Sequence, residues 1–173
     1  MAKSGTTAVN RRADIISAAI EVFSEIGYYR ATTAEVAKRA NISQPYVFRF
    51  FATKESLLLT AIEASWTRVI ESFRTIVETA PPEALEKQLI YEYESIQAKH
   101  QNEMFLQLQA QSIREEAIQA AMRDGFKQVR DMVLKAFYEA GVANPEERTL
   151  LFLARGMLCN VAVAIKMPEL MKS

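Results

Sequence analysis

Cysteine occurs once in the 173-residue chain, at Cys159, and glycine and proline only five times each. One thiol excludes an internal disulfide framework. One cysteine with one histidine, His100, excludes a metal centre of clustered Cys and His. The scattered glycines form no phosphate-cradling loop, and no nucleophile elbow accompanies His100 to make a triad. Glu115 and Glu116 are adjacent, so on a helix they point apart and read as a solvated face. Neither an enzyme nor a cofactor is expected. The longest apolar stretch, from Leu150 to Ile165, is broken by Arg155 and Asn160 and falls short of the roughly 20 residues a spanning helix needs. Without a charged leader followed by an apolar run and a cleavage site, a cytoplasmic chain with no membrane contact is expected.

What is present is a globular balance, 50% apolar and 24% charged. The net charge of zero hides an asymmetry. Residues 1–54 carry 8 Lys or Arg against 4 Asp or Glu, a balance of +4; residues 55–173 carry 13 against 17, a balance of −4. A basic head on an acidic body fits a polyanion partner, and it also fits ordinary variation in surface charge.

The fold class read from periodicity is all-α, because helical spacing recurs and strand-like alternation does not. Ile16, Ala19, Ile20, Phe23 and Ile26 mark a helix over 11–26, with Gly27 as a left-handed cap and residues 1–10 as a flexible arm. Thr32 and Glu35 have the spacing of a capping box for a short helix over 33–40, and Asn41 tolerates the left-handed turn that ends it. Ser43 as cap and Pro45 in the first turn start a second short helix over 44–50. Thr53 caps a long helix from Lys54 to the stop at Pro81-Pro82, striped by Leu58, Ile62, Trp66, Val69, Phe73 and Ile76. Further helices are expected at 83–100, 102–112, 114–140 and 146–166. The division anticipated is a head over 1–52 and a helical body over 53–173.

A long helix followed by two short ones across a three- to four-residue turn makes a helix-turn-helix, whose second short helix presents its N-terminal residues to the DNA major groove. Here Gln44 suits adenine, Arg49 suits guanine or phosphate, and Pro45 and Tyr46 suit a thymine methyl beside Ser43. Thr32, Thr33 and the first amides of the 33–40 helix form one phosphate clamp; Lys54 and the amides of the fourth helix form another.

Over this stretch the sequence resembles the tetracycline-repressor (TetR) family of bacterial regulators. The resemblance is carried by Ala18 to Gly27, by the run from Thr33 to Ser43, by Val47-Phe48-Arg49-Phe50-Phe51 and by Lys54-Glu55-Ser56-Leu57-Leu58. It covers roughly the first third of the chain, in order and without a gap. The turn here holds Asn41-Ile42 where the family usually has Gly-Val. Phe48 and Phe50 lack the hydroxyls of the tyrosines usual there, which moves phosphate donation to Thr33, Tyr46 and Lys54. Val47 and Phe51 read as packing residues.

The resemblance implies a second domain that dimerises and binds a ligand, whose positions must be read on their own. Leu151, Ala154, Leu158, Ala162 and Ile165 stripe the last helix and, with Val133 and Phe137 of the preceding one, offer half of a four-helix bundle across a two-fold axis. A fully internal core helix is the alternative. Trp66, Ile70, Tyr93, His100, Met104, Phe105, Met122 and Phe126 offer an aromatic, methionine-rich lining for a small apolar or aromatic molecule, or plain core. The function so implied is a homodimeric repressor on a palindromic operator, released when an effector shifts the heads through the fourth helix. The rival is a helical adaptor without specific DNA binding.

Overall fold

The computed structural model describes residues 3–171, and every regular element among them is helical. Helix α1 spans Lys3–Ile26 and ends where Gly27 takes φ +79°, the left-handed cap anticipated. Residues 3–10, expected as an arm, instead prolong α1; no proline breaks the helix before Arg11, and it runs through Gly5. The rest of that arm, residues 1–2, lies outside the described residues.

Helix α2, Thr33–Arg39, begins with the capping box read from the sequence. Glu35 N donates to Thr32 Oγ1 at 3.2 Å, and Thr32 N donates to Glu35 Oε2 at 2.8 Å. Asn41 then turns the chain at φ +54°. Helix α3, Gln44–Phe48, has Pro45 in its first turn, but the Ser43 side chain makes no capping bond, so the Ser43 carbonyl alone anchors Tyr46 and Val47. Thr53 starts α4, Lys54–Thr79, through a second reciprocal box in which Ser56 takes the place of the usual acid, with bonds of 3.0 and 3.2 Å.

Four helices complete the body: α5 Leu85–Lys99, α6 Gln101–Ala110, α7 Glu116–Glu139 and α8 Pro145–Ala164. Helices α1 and α4 carry one continuous core from head to body, with Phe23, Val36, Val47, Leu57 and Leu58 at the head end and Ile62, Phe73, Leu89, Ile118 and Phe137 beyond. Helix α6 lies against α1 as well as α4, α5, α7 and α8. Gln109 Nε2 donates across that junction to the Ser24 carbonyl at 2.7 Å, so the end of α1 is tied to the body by a hydrogen bond as well as by packing. Among the described residues no helix is long and apolar enough to cross a membrane.

A candidate DNA-reading face and a cavity in the body

Helix α2 is clamped to α1 by charge. Arg39 bonds Glu21 at 2.7 Å and Glu25 at 2.6 Å, and its hydrogen bonds hold the Glu25 carboxyl below the usual carboxylate range. Val47 and Phe51 are buried, as anticipated, and seat α3 on the core. With that inner face committed, Ser43, Gln44, Pro45, Phe48 and Arg49 remain exposed and Tyr46 half-buried on the outer one.

This outer face is pre-arranged. Gln44 Nε2 donates to Thr33 Oγ1 at 2.8 Å, which leaves its Oε1 and one amide hydrogen for paired bonding to a base edge. Thr33 is buried, and its hydroxyl orients Gln44. Arg49 lies over the Tyr46 ring at 5.3 Å, and that ring meets Phe50 edge-on at 5.4 Å, so the guanidinium is propped outward on an aromatic stack. Thr32 stands at the amide end of α2 with its hydroxyl held by Glu35.

Lys54 has a different setting from the phosphate clamp expected of it. Its Nζ donates to the carbonyls of Tyr28 at 2.9 Å and Ala31 at 3.1 Å and sits over the Tyr28 ring at 4.5 Å. Two of its three donors therefore close the turn between α1 and α2. Exposed Arg30 and Lys38, which the sequence reading did not single out, carry cations on this head without a salt bridge among the described residues. No sequence signal separates them from any other surface lysine or arginine.

In the body, α4, α5, α6, α7 and α8 line a cavity of about 50 Å³. Of the expected lining residues, Trp66, Tyr93 and Phe126 border it. Ile70 faces a separate shallow groove beside α7, Met122 is buried elsewhere in the core, Phe105 is half-buried away from the cavity, and His100 and Met104 line a smaller adjoining space. Val69, Phe73, Ile90, Val129, Phe152, Leu153 and Met157 also line the main cavity, together with the neutral amides of Gln107, Gln111 and Asn160.

A polar network not legible in the sequence crosses this wall. Tyr93 Oη donates to Asn160 Oδ1 at 2.8 Å, Gln97 Nε2 donates to the same oxygen at 3.2 Å, and Cys159 Sγ donates to Gln97 Oε1 at 3.0 Å. Burial pushes the Tyr93 phenol up to about 12, and the bond to Asn160 only partly offsets it. Trp66 packs edge-on to Phe126 at 4.9 Å, and its ring lies so close to Gly125 that a Cβ there would come within 2.2 Å of it. Trp66 Nε1 is buried with no partner among the described residues, a state that costs ~1–3 kcal/mol. At the mouth, Arg155 and Glu94 pair at 3.3 Å, both well exposed.

The expected interface residues divide. Leu151, Ala154 and Leu158 are exposed on α8 and Ile165 at its C-cap, joined there by Leu150 and Val161. Val133, Phe137 and Ala162 are buried inside the protomer and support that surface instead of forming it, because the apolar stripe of α7 is used against α4 and α8.

Residues 15–61 match the model for bacterial regulatory proteins of the tetR family. The chain is 38% identical over 53 residues to the transcriptional regulator HbdR of an Aromatoleum strain, a match covering 31% of the chain and 23% of HbdR. It is 32% identical over 69 residues to the transcriptional activator FasR of Mycolicibacterium smegmatis, covering 40% of the chain and 32% of FasR. In both, the chain spans a third or less of the relative's length. The fold superimposes on the regulator FadR of Bacillus subtilis, solved in complex with stearoyl-CoA, with a TM-score of 0.77 at 18% identity over 89% of the chain and 88% of FadR. Two capping boxes in register, an exposed α3 and a matched segment that runs from α1 into α4 lead to one conclusion: residues 15–61 form a head similar to that of the tetR family of bacterial regulatory proteins.

Proposed function

We propose that the protein is a homodimeric, effector-responsive repressor that reads a palindromic operator with α3. The observation that carries this is the outer face of α3, where Gln44 and Arg49 are exposed and each is oriented by a neighbour, Thr33 and Tyr46. Such preparation suits base reading, which needs directed donors and acceptors at fixed positions. Ser43, Pro45 and Tyr46 complete the face toward bases, with Thr32, Arg30 and Lys38 beside it for phosphates. Lys54 acts from within by holding the α1–α2 turn.

The apolar stripe of α8 supplies the dimer contact. Leu151, Ala154, Leu158 and Ile165 recur at three-, four- and seven-residue steps, and on a two-fold axis the same stripe meets itself. Leu150 is 66% and Ile165 58% exposed, an arrangement that a covering copy relieves. Two heads held by one such contact match two half-sites about a helical turn of DNA apart, or a multiple of it.

The cavity is the effector site in this reading. Its open space of about 50 Å³ is smaller than the ~150 Å³ cavity that accepts benzene, so an entering molecule displaces its lining. Displaced lining on α4 and α6 moves elements that pack on α1, which is how occupancy reaches the heads. FasR, named an activator, offers the opposite sign of regulation on the same domain.

Selection of genomic DNA fragments by the purified protein near physiological salt, followed by sequencing, tests the reading. A palindromic site is the expected product. Retention that is sequence-independent and salt-sensitive overturns it in favour of a head that no longer specifies sequence.

A further inference from the structure

We infer that the effector is a neutral, largely aromatic molecule bearing a hydrogen-bond acceptor of the carbonyl class, received by Trp66 Nε1 and by the Asn160 side-chain amide; this rests on the cavity being the effector site. Four features point to it together. Rings from four helices, Trp66, Phe73, Phe126 and Phe152 with Tyr93, surround the space and favour a flat apolar body. Among the described residues no charged side chain stands in its depth: the exposed Glu94 and Arg155 border it, and there they pair with each other. A carboxylate or ammonium carried inward would lose its water without gaining a counter-charge.

The third feature is the sign of the unused polar atoms. Trp66 Nε1 is a donor and nothing else, and it is buried with no partner among the described residues, on a ring that lines the cavity. The fourth is the saturation of Asn160. Tyr93 and Gln97 both donate to its Oδ1, so its remaining capacity lies in Nδ2, which donates to no protein group among the described residues. A carbonyl oxygen has two lone pairs and satisfies donors of this kind. Gln107, whose Nε2 is taken by Ser65 at 3.0 Å, keeps its Oε1 for a hydroxyl or N–H elsewhere on the molecule.

Gly125 fits the same picture. Its lack of a Cβ lets the indole lie against α7, where a Cβ would come within 2.2 Å of the ring, so any larger residue there would shift the indole and its donor.

Trp66 is the only tryptophan, so the protein gives a single indole N–H resonance. The test titrates the full-length protein with acetophenone, ethylbenzene and benzoate while following that resonance and the binding isotherm. Acetophenone is expected to bind about tenfold or more tighter than ethylbenzene and to move the indole proton downfield, as a new hydrogen bond requires. Benzoate is expected to bind more weakly than either. Trp66→Phe should bring acetophenone to the affinity of ethylbenzene, and the wild-type resonance answers the question even if that variant is unstable. Equal affinities with an unmoved indole proton overturn the acceptor assignment and leave the cavity as a site for hydrocarbons. Tighter benzoate overturns neutrality. Failure of all three probes to bind overturns the inference together with the cavity as effector site, while operator binding, measured separately, is unaffected by that outcome.

Discussion

The head and the body are held together by different physics. In the head, the helix ends are set by local devices: two capping boxes, a left-handed Gly27, a left-handed Asn41 and a proline in the first turn of α3. In the body the decisive contacts join distant residues, such as Tyr93 with Asn160, Gln97 with Cys159 and Trp66 against Gly125. Local devices repeat wherever the same backbone is needed, and the family model accordingly covers the head and stops at residue 61.

The same contrast separates what was legible in the sequence from what was not. Helix ends were readable because caps carry their own spacing, and the capping box at Thr32 and the cap at Thr53 stand where they were expected. Ser43 is the exception, since a serine at a helix start can leave its hydroxyl unused. In the cavity, apolar periodicity located Trp66, Tyr93 and Phe126 but also pointed to Ile70, Phe105 and Met122, because a helical stripe is about 100° wide and only its edge reaches the cavity. Gln97 and Gln107 were invisible because nothing in their own segments marks a glutamine as buried, and Asn160 showed only as a break in an apolar run. Lys54 read as a phosphate contact because its carbonyl partners lie 23 and 26 residues away. Val133 and Phe137 match an interface by pattern and a core by position, and periodicity alone does not separate the two.

The largest expected effect strikes the body's outer surface. Leu151→Glu with Leu158→Glu places like charges across the proposed two-fold contact, costing several kcal/mol of association while leaving the exposed positions' own fold intact. Sedimentation should show monomers at concentrations where the wild type is dimeric; unchanged dimers would place the interface elsewhere. Next comes alkaline stability. The unfolded Tyr93 phenol ionises near its ordinary value of 10 and the folded one only near 12, so stability present below pH 10 should fall by up to about 3 kcal/mol as pH rises to 12. Thermal melts of wild type and Tyr93→Phe across that window should differ in slope, and parallel slopes would remove Tyr93 from the account.

Gly125→Ala is smaller in scale, about 2 kcal/mol of destabilisation from overpacking against the indole despite the better helix propensity of alanine. Denaturant titration followed by Trp66 emission reads both the loss and any displacement of the ring. Smallest is Lys54→Ala, about 1–2 kcal/mol of stability from two carbonyls losing a partly exposed cation. A structural role predicts a lower melting temperature with the salt dependence of DNA binding unchanged. A phosphate contact predicts instead that the salt slope shrinks by about one.

The most direct test of the central claim compares wild type with the Gln44→Ala, Arg49→Ala double variant on the operator recovered by selection and on unrelated DNA of the same length. The outer face of α3 as the reading surface predicts that the variant folds normally, binds unrelated DNA nearly as before and loses at least about a hundredfold in operator preference. Undiminished preference for the operator would contradict it.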